Sequence, residues 1–105
     1  MKYSVLRTDT ADSMIRNIVL YIADKFGNSI ALQKLDELEN AILTLGDNPE
    51  AGAEPRYTVL RRQGYRVLIL KKDLVFYKIS EEKRTVTIYA VVDQRQDYLS
   101  IIRGL

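Results

Sequence analysis

The period of the apolar residues changes once along this chain, and that change limits the fold more than any other feature. Up to Gly46 apolar side chains recur every three or four positions. Beyond Pro55 they alternate or gather in short β-branched and aromatic blocks, and residues 47–55 between them keep no period. A chain built this way carries its helices first and its strands afterwards, which is the segregated α+β class and not an alternating α/β fold.

In the first half, residues 3–7 alternate like a strand, and Asp9-Thr10-Ala11-Asp12 then offers an Asp N-cap with a second acid three residues on. Ala11, Met14, Ile15, Ile18, Ile22 and Phe26 follow at helical spacing, and Gly27 supplies a left-handed stop. Asn28 or Ser29 is expected to cap a second helix with its seam at Ala31, Leu35, Leu38, Ile42 and Leu45, ended by Gly46. Two amphipathic helices joined by a Gly-Asn-Ser turn form a hairpin.

In the second half, residues 57–60, 65–70, 74–79 and 85–92 read as extended, separated by short polar turns that demand antiparallel neighbours. A last segment, 97–103, spaces Tyr98, Ile101 and Ile102 for one or two helical turns. The expected order is β-α-α-β-β-β with a short terminal helix: an antiparallel sheet whose one face receives the hairpin, in one domain over residues 1–105. Apolar residues lie on both sides of the strands, Val67 and Ile69 against Leu68 and Leu70, Leu74 and Phe76 against Val75 and Ile79. The second face is therefore expected to be partly solvated or to receive a partner.

Composition narrows the chemistry. The 105 residues are 47% apolar and 29% charged, which excludes disorder, and no apolar run approaches the roughly 18 residues that span a bilayer. Neither a membrane partner nor a secretory signal is expected, and a cytosolic location is inferred. Cysteine and histidine are both absent, so thiol nucleophiles, thiolate zinc sites and imidazole acid–base catalysis are unavailable. No Gly-rich phosphate loop, Walker pattern or acidic metal cluster occurs, and no cofactor or metal is expected. The net charge of +2 is unevenly divided: residues 1–55 hold five basic and nine acidic groups, residues 56–105 eleven and five. The C-terminal half is the one suited to a polyanion or an acidic partner.

Arg56, Arg61, Arg62, Arg66, Lys71 and Lys72 lie within 17 residues and could form one phosphate-binding patch, or a solvated sheet edge guarded by cations. Arg66 stands out because Leu68 and Leu70 share its face, which leaves it either presented to a ligand or paired with Asp93 or Asp97. Leaving the last strand, Asp93-Gln94-Arg95-Gln96-Asp97-Tyr98 combines a cation, two carboxylates and a phenol. In a ribonuclease, Arg95 would stabilise a pentacoordinate phosphate, and Tyr98 would donate a proton or stack on a base. In the structural alternative, Asp97 caps the final helix and Tyr98 packs in the core. No residue presents itself as a general base.

Tyr21-Ile-Ala-Asp-Lys-Phe-Gly27, Leu35-Asp-Glu-Leu-Glu-Asn-Ala-Ile42, Asn48-Pro49, Gly52, Gly64-Tyr65-Arg66, Leu74-Val-Phe-Tyr77 and Val91-Val-Asp-Gln-Arg-Gln-Asp97 occur in an order that resembles the RelE/ParE toxin superfamily. The resemblance implies the toxin half of a type II toxin–antitoxin pair, which arrests growth and is neutralised by a small antitoxin, free or in a homodimer or hetero-oligomer. RelE-like members cut mRNA in the ribosome, leaving a 2′,3′-cyclic phosphate; ParE-like members poison DNA gyrase. For the nuclease branch the resemblance carries over Arg66 as phosphate ligand and Arg95 as transition-state cation. Tyr57 and Val59 stand where that branch has lysines, and Asp93 where several relatives have histidine. The Phe26-Gly27 hairpin and the 94–97 ending look closer to the ParE branch, for which Arg56, Arg61, Arg62, Arg66, Lys71, Lys72, Arg95 and Tyr98 would be target contacts. A non-toxic protein-binding module is the remaining alternative.

Overall fold

The structure, a computed structural model, describes residues 2–105. Strand β1 (Ser4–Arg7) leads into helix α1 (Asp9–Phe26) and helix α2 (Asn28–Thr44). A single 3-10 turn (Pro49–Ala51) and the short helix α3 (Thr58–Arg62) follow, then strands β2 (Arg66–Ile69), β3 (Asp73–Ser80) and β4 (Thr85–Asp93) and helix α4 (Tyr98–Arg103). The expected β-α-α-β-β-β order and short terminal helix are present. Two expectations fail: residues 57–60 are not a strand, and the sheet is mixed.

The helix starts differ from the caps expected. Thr8, not Asp9, caps α1, its Oγ1 accepting the Ala11 N–H at 3.0 Å. Asp9 and Asp12 then sit in the first turn, where carboxylates favour the positive end of the helix dipole. No side chain caps α2; the whole joint is Gly27, at φ 95°. Its N–H donates to the Ala23 carbonyl and its own carbonyl accepts the Ala31 N–H. Only glycine holds that backbone without strain, so one residue ends one helix and begins the next.

The sheet order is β1-β4-β3-β2. β2, β3 and β4 form the antiparallel meander, whereas β1 pairs with β4 in parallel, Ser4 opposite Thr85 through Arg7 opposite Ile88. Parallel pairing follows from the route, since the hairpin returns the chain to the far edge before the meander starts. Between β3 and β4 the register slips: Tyr77 faces Ile88 and Phe76 faces Ala90, so Tyr89 is an extra, bulged residue. The slip moves the inward-pointing positions of β4. Val86, Ile88 and Val91 join the core beneath the hairpin with Ile15, Leu38, Ile42, Leu45, Val75 and Tyr77. Ala90 and Val92 join Leu60, Tyr65, Val67, Leu74, Phe76 and Ile102 on the other face.

Much of that second face is thus covered by the chain's own α3 and α4, neither left to solvent nor reserved for a partner. This explains the helical state of 58–62: Leu60 must reach the sheet and is fully buried there. Arg61 steadies the turn by donating to the Pro55 and Arg56 carbonyls and to Thr58 Oγ1. Burial outweighs the β propensity of Thr58 and Val59, which is weak over so few residues.

The segment between helices and strands is fastened to the edge strand. Ala53 exchanges both backbone hydrogen bonds with Val67, closing that edge of β2. Fully buried Tyr77 donates from Oη to the Pro49 carbonyl at 2.6 Å and accepts the Gly52 N–H at 3.0 Å. A Cβ on Gly52 would lie 2.5 Å from that phenol oxygen and 2.6 Å from the Val67 carbonyl oxygen. Gly52→Ala is therefore expected to lower unfolding free energy by about 2 kcal/mol in urea titration. Tyr77→Phe, which strands the Gly52 N–H and the Pro49 carbonyl, is expected to cost about 1–3 kcal/mol.

Candidate functional site

A cleft of about 1120 Å³ opens between the outer part of the hairpin and the end of the sheet formed by the β2–β3 turn and the exit of β4. Ile18, Tyr21, Ile22, Phe26 and Ile30 form its apolar wall, facing Lys71, Lys72, Asp73, Asp93, Arg95 and Gln96. Tyr21, Phe26 and Ile30 are 61%, 64% and 50% exposed, so this wall is largely in water. By spacing, Phe26 belongs to the apolar seam of α1. The seam is buried only nearer the sheet, at Ala11 and Ile15, because the hairpin extends past the strands that would cover its far end.

The floor of the cleft is an ion pair that sequence reading missed. Lys34 on α2 reaches Asp73 at the start of β3, with both side chains largely buried. Asp73 is directly opposite Asp93 in the sheet, so two carboxylates stand side by side. Lys34 offsets the first and Arg95 the second. Asp93 accepts from Arg95 Nε at 3.1 Å, Nη2 at 3.2 Å and the Arg95 backbone N–H at 2.7 Å. These bonds to Arg95, with Lys34 adding to the field, hold the Asp93 carboxyl below its ordinary value and raise the guanidinium's. Lys34 and Asp73 lie 39 residues apart, with no local spacing to announce their contact.

The predicted site residues fall into separate groups. Lys71, Lys72 and Arg95 come together around the cleft. Arg56, Arg61 and Arg62 belong to α3 and its approach, where Arg56 stacks 5.3 Å over the Tyr57 ring and Arg61 binds backbone carbonyls. The six cations therefore do not form one continuous patch. Arg66 pairs with neither Asp93 nor Asp97: its Nη2 donates to the Gly52 carbonyl at 2.5 Å and the Glu50 carbonyl at 3.1 Å, and its buried Nε has no partner among the described residues. Directly opposite Tyr77 in the sheet, Arg66 grips the same turn. Tyr98 packs edge-on to Tyr57 at 5.6 Å and against Phe76 at 5.4 Å. Asp97 stands at the N-cap of α4, where its carboxylate accepts from Ser100 Oγ and not from a backbone N–H.

Among the described residues no group of three or more acidic side chains is placed to hold a metal ion, and no helix is long and apolar enough to cross a membrane. Chemically, the cleft offers an exposed apolar wall beside a mixed-charge floor, which suits a protein segment better than a bare polyanion.

Two outcomes test this floor. Lys34→Met, which leaves Asp73 buried and unpaired, is expected to cost about 3 kcal/mol of stability, and a Lys34→Met/Asp73→Leu double variant to recover most of it in denaturant titration. In an NMR titration the Asp93 carboxyl is expected to ionise below 3.8, and Arg95→Gln to bring it back up towards that value. A carboxyl depressed in the folded state adds stability above its unfolded value and loses it as pH falls through the folded one. Arg95→Gln should therefore flatten the acid limb of the stability profile.

The family model for the ParE toxin of the type II toxin–antitoxin system, parDE, matches residues 5–98. A search of curated proteins found no match. Among solved structures, the toxin fold recurs in the chromosomal ParDE system of P. aeruginosa, with TM-score 0.72, 17% identity and coverage of 88% of this chain and 96% of that one. It recurs in the RelBE2 toxin–antitoxin complex of Mycobacterium tuberculosis, with TM-score 0.64, 21% identity and coverage of 90% and 100%. The isolated E. coli RelE toxin gives TM-score 0.58, 18% identity and coverage of 98% and 99%. At such identities the structures speak for the fold alone, while the family model spans most of the sequence: the chain belongs to the ParE toxin family of type II toxin–antitoxin systems.

Proposed function

We propose that this protein, as one toxin domain over residues 1–105, arrests bacterial growth in the cytoplasm by binding DNA gyrase and is neutralised by a cognate antitoxin. The observation that carries the reading is the engagement of the two arginines a nuclease would need. Arg66 is committed to the Glu50 and Gly52 carbonyls, and Arg95 is held on Asp93. With no histidine in the chain, the proton acceptor that stands beside Arg95 is the Asp93 carboxylate, which the same bonds make a weak one. A poison that acts by binding needs none. Family membership supports the same branch. In this reading Lys71, Lys72 and Arg95 are target contacts at the cleft, Arg56, Arg61 and Arg62 contribute from α3, and Arg66 and Tyr98 act by holding the 49–52 turn and α4 in place.

The second reading, a RelE-like endonuclease cutting mRNA on the ribosome, draws on the fold shared with the E. coli RelE toxin and on the exposure of Arg95. An antitoxin partner is supported by the ParDE and RelBE assemblies that share the fold. Its segment would lay apolar residues at helical spacing against Tyr21, Phe26 and Ile30 and place charges over the cleft floor.

Pulse-labelling within minutes of inducing the chain alone separates the two targets. Thymidine incorporation is expected to fall first while methionine incorporation continues, with gyrase-dependent double-strand breaks forming on addition of the purified protein. Early loss of methionine incorporation, abolished by Arg66→Ala or Arg95→Ala, would overturn the gyrase reading in favour of the nuclease. Antitoxin affinity is expected to weaken only in part at high salt, because screening leaves apolar burial intact; affinity that vanished there would rule out the apolar wall as the docking surface.

A further inference from the structure

Three cations in the described chain are half-buried, and they are satisfied very differently. Lys34 has Asp73, and Arg66 has two backbone carbonyls. Lys78, towards the end of β3, has neither a carboxylate nor a carbonyl among the described residues. Its ammonium instead lies 4.6 Å from the ring centre of Tyr65 and 5.0 Å from that of Tyr89. The two rings meet edge to face at 5.6 Å and 89°, forming a corner that fixes the ammonium. Ring faces attract the charge but accept none of its three N–H bonds in the manner of an oxygen. A cation partly withdrawn from water, with its donors unspent, is poised for an anion.

The surroundings favour one. In register, Lys78 stands opposite Thr87 and Thr87 opposite Leu6, while Ser80, Thr85 and Ser4 form the next row of the same face. This is the part of the second sheet face that α3 and α4 leave open: Leu6 is 51% exposed, whereas Val67, Phe76 and Ala90 further along are buried. The row therefore offers hydroxyl donors beside the ammonium and no competing carboxylate in hydrogen-bonding reach of it. Burial also pushes the Tyr65 phenol up, keeping it protonated and neutral. With one cation and no nest of backbone N–H groups, the charge balance suits a single carboxylate better than a phosphate chain.

We infer that Lys78, held by Tyr65 and Tyr89 and flanked by Thr87, is an anchor for an acidic side chain of a protein partner on the open half of the sheet face away from the hairpin. The anchor lies apart from the cleft, which none of these four residues lines. The rings fix the ammonium before the partner arrives, so pairing orders little that was free.

The test uses the full purified chain and does not depend on which cellular target is hit. A short blocked peptide with two glutamates is titrated while NMR follows the Lys78 side-chain methylene next to the ammonium and the Tyr89 ring; a glutamine version and inorganic phosphate are run alongside. Saturable shifts at both residues with the glutamate peptide are expected, weakened about fivefold or more by Lys78→Gln, in keeping with a single exposed-to-intermediate ion pair. Lys78→Arg should retain them, and Tyr89→Leu should weaken binding with the charge intact. The anchor is overturned if the wild-type chain shows no saturable shift at Lys78, if Lys78→Gln leaves the titration unchanged, or if the glutamine peptide does equally well. Phosphate saturating at lower concentration than the glutamate peptide would overturn the carboxylate assignment.

Discussion

A four-stranded sheet with apolar side chains on both faces must be covered on both, and in a chain of this length the cover has to come from a few short pieces. One extra residue makes this workable. The bulge at Tyr89 changes which side of β4 points which way, so Val86 and Ile88 meet the hairpin at one end while Ala90 and Val92 meet α3 and α4 at the other. Without it, a strictly alternating β4 would turn Ala90 to the hairpin and Val91 away from it. The bulge also turns the Tyr89 ring to the corner shared with Tyr65, which makes a place for Lys78.

The cations sort by what the backbone near them lacks. Arg61 and Arg66 satisfy carbonyls in the irregular segment between helices and strands, where no ladder is available to do so. Lys34 spans from α2 to the start of β3 and balances the carboxylate that the sheet places opposite Asp93. Lys71, Lys72 and Arg95 remain at the surface of the cleft. A charge count cannot separate these roles. Residues 56–105 are basic partly because this half builds its turns with guanidinium groups and partly because it presents cations outward.

Much of the fold was legible. Two helices at Gly27, the change of period after residue 55, the meander and the terminal turn were each written in local spacing, and motif order led to the family that the family model matches. Less of the candidate site could be read. Arg95, Lys71 and Lys72 were picked out by charge and do gather at the cleft. Its floor was invisible because Lys34 and Asp73 meet across two elements, and its wall was misjudged because Phe26 fits the helical seam in spacing but lies beyond the sheet that would bury it.

The sequence by itself determined the two long helices, the meander and their order, the glycine on which the hairpin turns, and the chemistry withheld by the absence of histidine and cysteine. Those properties are local, set by spacing, backbone freedom and side-chain type. Only the tertiary structure decided that residues 58–62 are helical and that β1 runs parallel to β4. It alone decided, too, that Arg66 is spent on a turn while Lys78 is left with its donors free. Each of these is a competition between neighbours far apart in the chain: Leu60 for a sheet face, Arg66 for carbonyls 14 and 16 residues back, Lys78 for the rings of Tyr65, just ahead of β2, and Tyr89 in β4. Such competitions are settled by burial and by which polar groups would otherwise go unpaired, quantities that exist only once the layers are assembled.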